Sequence, residues 1–539
     1  MKRHALGLLL LAGTTAIDPA VDANAAAQPS SSTDDRLKAL EQELQDVNIQ
    51  LADLKRSQSD QYGDVNRQFS NLVQVRLDNG RPTFTSADGN FSAAIRALVQ
   101  FDWGTYMQST SARALPAAFG PDLSSGTNFR RVYLGIQGKA FGNWSYNANF
   151  DFGGSGGTES PGHIQSVYVQ FDGLAPFAFR IGAYPPPANI EDSTSAGDTI
   201  FLERNAPSDL QRNLAGGDGR DAVSLLYTGE ELFGALSYTG GKVQDSAVFD
   251  EQQALLARLS YRAWHDDESN LVLGVNGTYV FRPANAVASG LPNLSNTPGA
   301  PALNSITLSD PPELTIDSNG IRLANTGALP TRHVTQWGVE AAGNFENFYA
   351  QAGYYGFEVE RAPIAFKVFT SAVTSATEIV QPSNNSLSGW YVQASWFATG
   401  EQKPYSAATG AFTAPKVLHP FGLGESAGWG AIELAGRFSE LDLNSHVRDD
   451  SNVITGWTGA ATRTFTFFNT ERGGDQRIAT VELNWYPNSF VKFGFAYQYI
   501  QVSRLQAPAT VTTTGLPVLP TLNGGQNLST FAVRTQFSL

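Results

Sequence analysis

The chain has no cysteine, two methionines and few charges: Asp, Glu, Lys and Arg make up 16% of its 539 residues, against about a quarter in ordinary soluble domains. Without cysteine there is no thiol catalysis, no thiolate metal site and no disulfide. No stretch approaches about 18 consecutive apolar residues, which excludes a spanning helix but leaves open a membrane β-barrel, whose strands need only about ten alternating residues. Basic residues are outnumbered, 36 Lys and Arg against 50 Asp and Glu for a net charge of −14. That balance argues against nucleic acid as a partner. What the chain does have is aromatic residues (11%) within a 42% hydrophobic composition, too apolar for bulk disorder.

Lys2, Arg3 and His4 precede an apolar run, Ala5 to Ala12, and small residues lead to Ala25-Ala26-Ala27. This is the layout of a secretory signal peptide over residues 1–27. In residues 28–60, Leu37, Leu40, Leu44, Val47, Leu51 and Leu54 are spaced 3-4-3-4-3 with charges on the other faces. The spacing predicts a short coiled-coil helix. Three heptads are marginal alone and call for a larger assembly; the alternative is a solvated amphipathic helix. Residues 61–89 are polar and aperiodic and read as linker.

From residue 90 to 539 the period becomes two. Phe91, Ala93, Ile95, Ala97, Val99, Phe101 and Trp103 share one face, while Ser92, Arg96, Gln100 and Asp102 share the other. Trp144, Tyr146, Ala148, Phe150 and Phe152 alternate with Ser145, Asn147, Asn149 and Asp151 after a tight turn. Continued to the C-terminus, the pattern predicts sixteen strands whose connections are alternately short and long. Only 398–428 is long where a short turn is due. The expected fold is all-β, a 16-stranded antiparallel transmembrane barrel, apolar outside, polar within, and closed so that no backbone group is left unpaired in hydrocarbon. A soluble β-sandwich would alternate too, but would carry more charge and would not need aromatics at both strand ends.

The alternation places Arg96, Arg131, Lys139, Arg180, Arg258, Arg262, Arg282, Arg437, Lys492 and Arg534 inward, against Asp102, Asp151, Glu340, Glu433 and Glu482. A cation-rich wall of low dielectric concentrates anions, and rings of Arg or Lys suit anion and phosphate pores. The competing reading is that these cations pair with the five acids and stiffen the wall. The 185–220 connection, with its own apolar anchors, folds into the lumen as a constriction or lies over the mouth.

Several strings resemble the phosphate-selective porin O/P family: Asn128-Phe129-Arg130-Arg131-Val132-Tyr133-Leu134-Gly135, Gly182-Ala183-Tyr184-Pro185-Pro186, Leu202-Glu203-Arg204, Gly430-Ala431-Ile432-Glu433-Leu434 and Asn484-Trp485-Tyr486-Pro487-Asn488. The even strand number puts both termini on the short-turn side, the periplasm, into which the N-terminal segment projects; the resemblance implies an outer-membrane homotrimer of a Gram-negative cell, in outer-membrane lipid, passing small, phosphate-like anions through an arginine ladder and a lysine-bearing constriction loop. By position Arg130 and Arg131 match ladder arginines, and Arg96, Arg258 and Arg262 lie on strands that extend it. The constriction departs from the pattern: Glu191-Asp192-Ser193-Thr194-Ser195-Ala196-Gly197-Asp198 holds three acids and no lysine, so strong phosphate selectivity does not follow. The last residue is Leu539 rather than an aromatic.

No enzyme, cofactor or metal is expected. Gly424-Glu425-Ser426-Ala427-Gly428 matches a G-x-S-x-G string but lacks the strand-to-helix context a nucleophile elbow needs. The histidines are scattered, without metal-ligand spacing, and no phosphate-cradling loop string is present. Besides the anion pore, two readings stand: a general or sugar-type porin, and a non-transport barrel acting as a hydrolase or an anchor.

Overall fold

The computed structural model describes residues 33–70, 73–78, 80–108, 121–154, 162–245, 250–285, 304–371, 373–424, 428–447, 452–458, 462–467, 469–504, 511–512 and 525–539. The signal segment, the first residues of the 28–60 range and Ser426 lie outside them. The chain divides into two units, residues 1–72 and 73–539.

The first unit contributes helix α1, Thr33–Ser70, 38 residues long with Asp34 and Asp35 in its first turn, where carboxylates favour the helix dipole. It runs ten residues past the expected coiled-coil segment. Leu37, Leu40, Leu44, Val47, Leu51 and Leu54 form an exposed apolar seam along it. The supposed linker is thus ordered twice over, since Gln74–Asp78 and Arg81–Thr85 then form a hairpin in the second unit, whose second arm pairs with the first barrel strand. Strands of five residues are too short for the alternation to register.

Sixteen strands close the barrel: β1 Ser92–Met107, β2 Gly126–Ala140, β3 Trp144–Asp151, β4 His163–Leu174, β5 Phe177–Ala183, β6 Arg220–Thr228, β7 Leu232–Lys242, β8 Gln253–His265, β9 Ser269–Arg282, β10 Ala324–Phe345, β11 Phe348–Arg361, β12 Asn385–Phe397, β13 Ala431–Ser445, β14 Glu471–Asn488, β15 Val491–Ser503 and β16 Asn527–Ser538. All neighbours are antiparallel, and β16 returns to β1 with Ser529 opposite Met107 and Ser538 opposite Leu98. Side chains obey the period of two. Trp103, Leu134, Ile136, Phe179, Leu273, Trp337, Val392, Val481 and Phe531 face out and are exposed, whereas Gln100, Asp102, Ser224, Gln336 and Gln393 face in and are buried. No described helix is long and apolar enough to cross a membrane; the strands do so.

Two departures from strict alternation matter. The inward faces of β11 to β13 are not polar throughout: Tyr355, Phe357, Val359, Leu387, Tyr391, Leu441 and Leu443 all point in and are fully buried. And β2 carries a bulge against Gln100 and Phe101, with Arg131 opposite Gln100 but Phe129 opposite Phe101. The extra residue is Arg130, so two consecutive arginines face inward, as a bulge permits.

The lipid-facing position Leu134 tests the fold. Leu134→Arg should cost about 2–4 kcal/mol of barrel stability, read by urea unfolding in lipid vesicles; an unchanged midpoint would contradict its assignment to the hydrocarbon face.

Candidate functional site

Residues 184–219, joining β5 to β6, lie inside the barrel. Two short helices shape them. In α2, Ile190–Ser193, Asn189 caps by accepting from the Asp192 amide; in α3, Ala206–Ala215, Asn205 accepts from the Ser208 amide. The apolar side of α3, Leu210 and Leu214, packs on Tyr355, Phe357, Val359 and Tyr391, while Ile190, Ile200 and Phe201 pack with Tyr349 and Phe412. The inward apolar patch on β11 to β13 is therefore the seat of this loop.

Side chains of the wall, and Lys403 of the 398–430 connection, grip the loop carbonyl by carbonyl. Gln100 donates to Ala196 O (3.1 Å), Gln536 to Gly197 O (2.8 Å), Lys403 to Asp198 O (2.8 Å), Lys492 to Thr199 O (2.9 Å) and Ile200 O (2.8 Å), Arg534 to Leu202 O, and Arg437 to Glu203 O (2.9 Å). Wall carboxylates take the amides: Glu340 accepts from Ile190 N (2.9 Å) and Glu482 from Leu202 N (3.2 Å). Arg437, Lys492 and Arg534, read from the sequence as pore cations, are thus clamps on the loop.

Lys403 belongs to 398–430, the connection that is anomalously long at the short-turn end. Its residues from Lys403 to Phe412 enter the lumen beneath the loop. Arg258 donates to Thr409 O (2.9 Å), Gly410 O (2.7 Å) and Ser193 Oγ (2.9 Å), lies 3.8 Å from Glu340, and is 2% exposed. Gly410 has φ +57°, and a Cβ there would sit 2.8 Å from Phe233, so only glycine suits this tip. Arg262 is stacked 5.2 Å from the Tyr405 ring and bonded to Asn270. Arg258 does not face open water, and Arg262 is half-buried.

Glu203 is the loop's most tightly held side chain. Arg130 binds it through Nε (2.7 Å) and Nη2 (3.1 Å), Arg131 through Nη2 (3.1 Å), Arg534 through Nη2 (2.8 Å), and Thr315 Oγ1 adds a bond of 3.2 Å. Burial alone would raise its carboxyl's pKa, yet the Arg130, Arg131 and Arg534 guanidiniums hold it well below the usual carboxylate range. The other constriction acids are largely answered too. Glu191 turns to the wall and accepts from Gln393 (2.6 Å) and Gln351 (3.1 Å). Asp192 pairs with Arg212, which also binds Asp218 at 2.6 Å. Thr194 is buried, its hydroxyl donating to Ile190 O (3.0 Å); Ser195 is exposed.

Arg81 of the hairpin, Arg96 on β1, Arg180 on β5 and Arg204 on the loop are among the cations with no carboxylate within 4 Å in the described residues. Arg180 lies over the rings of Tyr168 (4.2 Å) and Tyr184 (5.3 Å). Arg204 donates only to the Glu191 and Thr194 carbonyls (3.2 and 3.4 Å). All four line one chamber of about 390 Å³ toward the short-turn end. A second chamber, about 440 Å³, lies toward the long loops, and the two share Arg204, Arg212 and Asp218. That trio marks the neck. In the first chamber five arginines (81, 96, 180, 204, 212) face three aspartates (192, 198, 218). In the second, Arg130, Arg131, Arg204, Arg212, Lys242 and Arg322 balance Glu203, Asp209, Asp218, Asp245, Asp310 and Glu313. Lys139 is exposed near the short-turn end, and Arg282 pairs with Asp250 at 2.7 Å at the other rim.

Sequence reading missed Arg81, Arg212 and Lys403. The length of 398–428 was the one signal available for Lys403. Among the described residues no group of three His, Asp or Glu is placed to hold a metal.

A family model described as phosphate-selective porin O and P matches residues 117–514. Porin O of Pseudomonas aeruginosa is 24% identical over 445 residues, covering 79% of this chain and 86% of that one. Among solved structures, the anion-selective porin from Comamonas acidovorans aligns with a TM-score of 0.43 at 9% identity over 83% of this chain and all of that one. The outer membrane channel DcaP of Acinetobacter baumannii aligns with a TM-score of 0.40 at 12% identity over 85% and 99%.

The clamp has a measurable cost of removal. Arg437 bonds Glu313 at 2.5 Å, both side chains being buried. Arg437→Met strands that carboxylate and frees a loop carbonyl, and should destabilise the barrel by about 3–5 kcal/mol in thermal unfolding; a change within error would show that the loop is held without it.

Proposed function

The chain belongs to the phosphate-selective porin O and P family and is an outer-membrane porin, and from that premise we propose that its water-filled channel passes small anions, phosphate among them, preferentially and by passive diffusion. The observation that carries this is the shared chamber of Arg81, Arg96, Arg180 and Arg204, cations with no carboxylate within 4 Å among the described residues. A chamber with five arginines against three aspartates raises the local concentration of anions. Guanidiniums that lack a fixed counter-ion offer parallel hydrogen bonds to a phosphate or carboxylate in transit. The preference is moderate, because the chamber beyond the neck is charge-balanced, six against six.

The short turns, both barrel termini and the 398–430 segment face the periplasm in this reading, and the long loops face outward. Helix α1 then belongs to the periplasm, where its leucine seam packs against the same helix of two further copies in a homotrimer. The work is diffusion, with neither a catalytic group nor a cofactor. A general porin of the same architecture is the competing reading, favoured by the balanced outer chamber.

Purified protein in a planar bilayer under a KCl gradient separates them: anion preference gives a chloride-signed reversal potential, and a general porin one near zero. Arg204→Glu places an acid at the neck and should move the reversal potential toward potassium. Should it stay where it was, Arg204 does not line the path.

A further inference from the structure

We propose that Glu203 is a built-in counter-anion: its carboxylate occupies an anion site formed by Arg130, Arg131 and Arg534, and by filling that site sets how weakly the pore holds phosphate. The proposal deepens the anion-pore reading and rests on it.

The site is built for an oxyanion. Three guanidiniums and one hydroxyl aim five hydrogen bonds, 2.7 to 3.2 Å long, at two oxygens. Forked donors of this kind match a carboxylate and two oxygens of a phosphate equally well. The bulge in β2 supplies the geometry, since without it Arg130 would point to lipid. The arginines are 7%, 6% and 3% exposed, so each bond to them is made away from bulk water. The site is also within reach of solute: Arg130, Arg131 and Glu203 line the 440 Å³ chamber on the long-loop side of the neck.

Charge shows why the site needs filling. Arg534 keeps Asp102 at 2.6 Å whatever Glu203 does. Arg130 and Arg131 share the Glu203 carboxylate, and Arg131 otherwise reaches only the neutral Gln100 at 2.8 Å. Take the carboxylate away and, among the described residues, Arg131 is left without a carboxylate while Arg534 keeps Asp102. A desolvated cluster of that kind captures an anion and releases it slowly, whereas conduction requires binding weak enough to leave. A tethered carboxylate outcompetes a solute at millimolar concentration because its effective concentration is set by its covalent attachment. Solutes are then handed past this site to the unpaired cations around Arg204.

The carboxylate can be removed without unseating the loop. The backbone at this point is held separately, by Arg437 on Glu203 O and by Arg534 on Leu202 O. Glu203→Gln keeps the shape and loses the charge. Chloride current through single channels is measured while inorganic phosphate is added. The wild type and Glu203→Asp should show little block, and Glu203→Gln should be half-blocked at a phosphate concentration at least about tenfold lower, the value of one set of charge-assisted bonds. The chain has no native cysteine, so Glu203→Cys offers a second route. It should show the same block, and a sulfonate-bearing thiol reagent, which restores a negative charge, should relieve it in the same channel. Conducting Gln and Cys variants with wild-type phosphate sensitivity overturn the assignment. A chloride-signed wild-type reversal potential alongside that result leaves the anion pore standing; a potassium-signed one removes the pore reading as well.

Discussion

Most of the cations on the inner wall of this barrel are satisfied by the protein itself, and everything about the pore follows from which ones are not. A desolvated ammonium or guanidinium must have acceptors. Lys403, Lys492, Arg437 and Arg534 find them in successive carbonyls between Asp198 and Glu203. Those bonds draw an extended segment across the lumen and fix it against one side of the wall, with α3 seated on the apolar patch of β11 to β13. Water is left the other side, along β1 to β7, where Arg96 and Arg180 stand with Arg204 facing them.

The same segment carries its own acids, and the wall or the loop answers nearly all of them. An acidic stretch that on paper contradicts an anion pore is largely bonded in place, with Glu191 turned to amides, Asp192 to Arg212 and Glu203 to three arginines, while Asp198 still faces the chamber. The charge that solutes meet is thus a small residue of a much larger internal balance. This is how a chain of net charge −14 can present a cationic passage.

Barrel architecture was legible because lipid enforces a period of two on every strand, so all sixteen strands follow from alternation. Side-chain roles inside were less legible, for identifiable reasons. Arg130 breaks the alternation through a bulge, which parity cannot foresee, and only the likeness of the Arg130-Arg131 string to a known family pointed inward. Parity also cannot tell a cation that faces water from one that faces a folded-in loop, so Arg258 and Arg534 read the same as Arg96 and Arg180. A sharper signal was present in Tyr355, Phe357, Val359 and Leu441, large apolar residues at inward parity, which mark the wall that something must cover. The excess length of 398–428 was a second such signal, for a short-turn connection of that size has to fold back into the lumen or lie over its mouth.

The division of the lumen into a filled side and a wet side is the central claim, and thiol accessibility measures it directly in a chain free of cysteine. Ser166 on β4 lines the wet chamber, and Ser439 on β13 is buried behind the loop, donating to Glu313. A charged thiol reagent added to conducting channels should modify Ser166→Cys quickly and step the current down, and leave Ser439→Cys untouched. Equal modification of the two would mean that the loop does not occupy that half of the barrel.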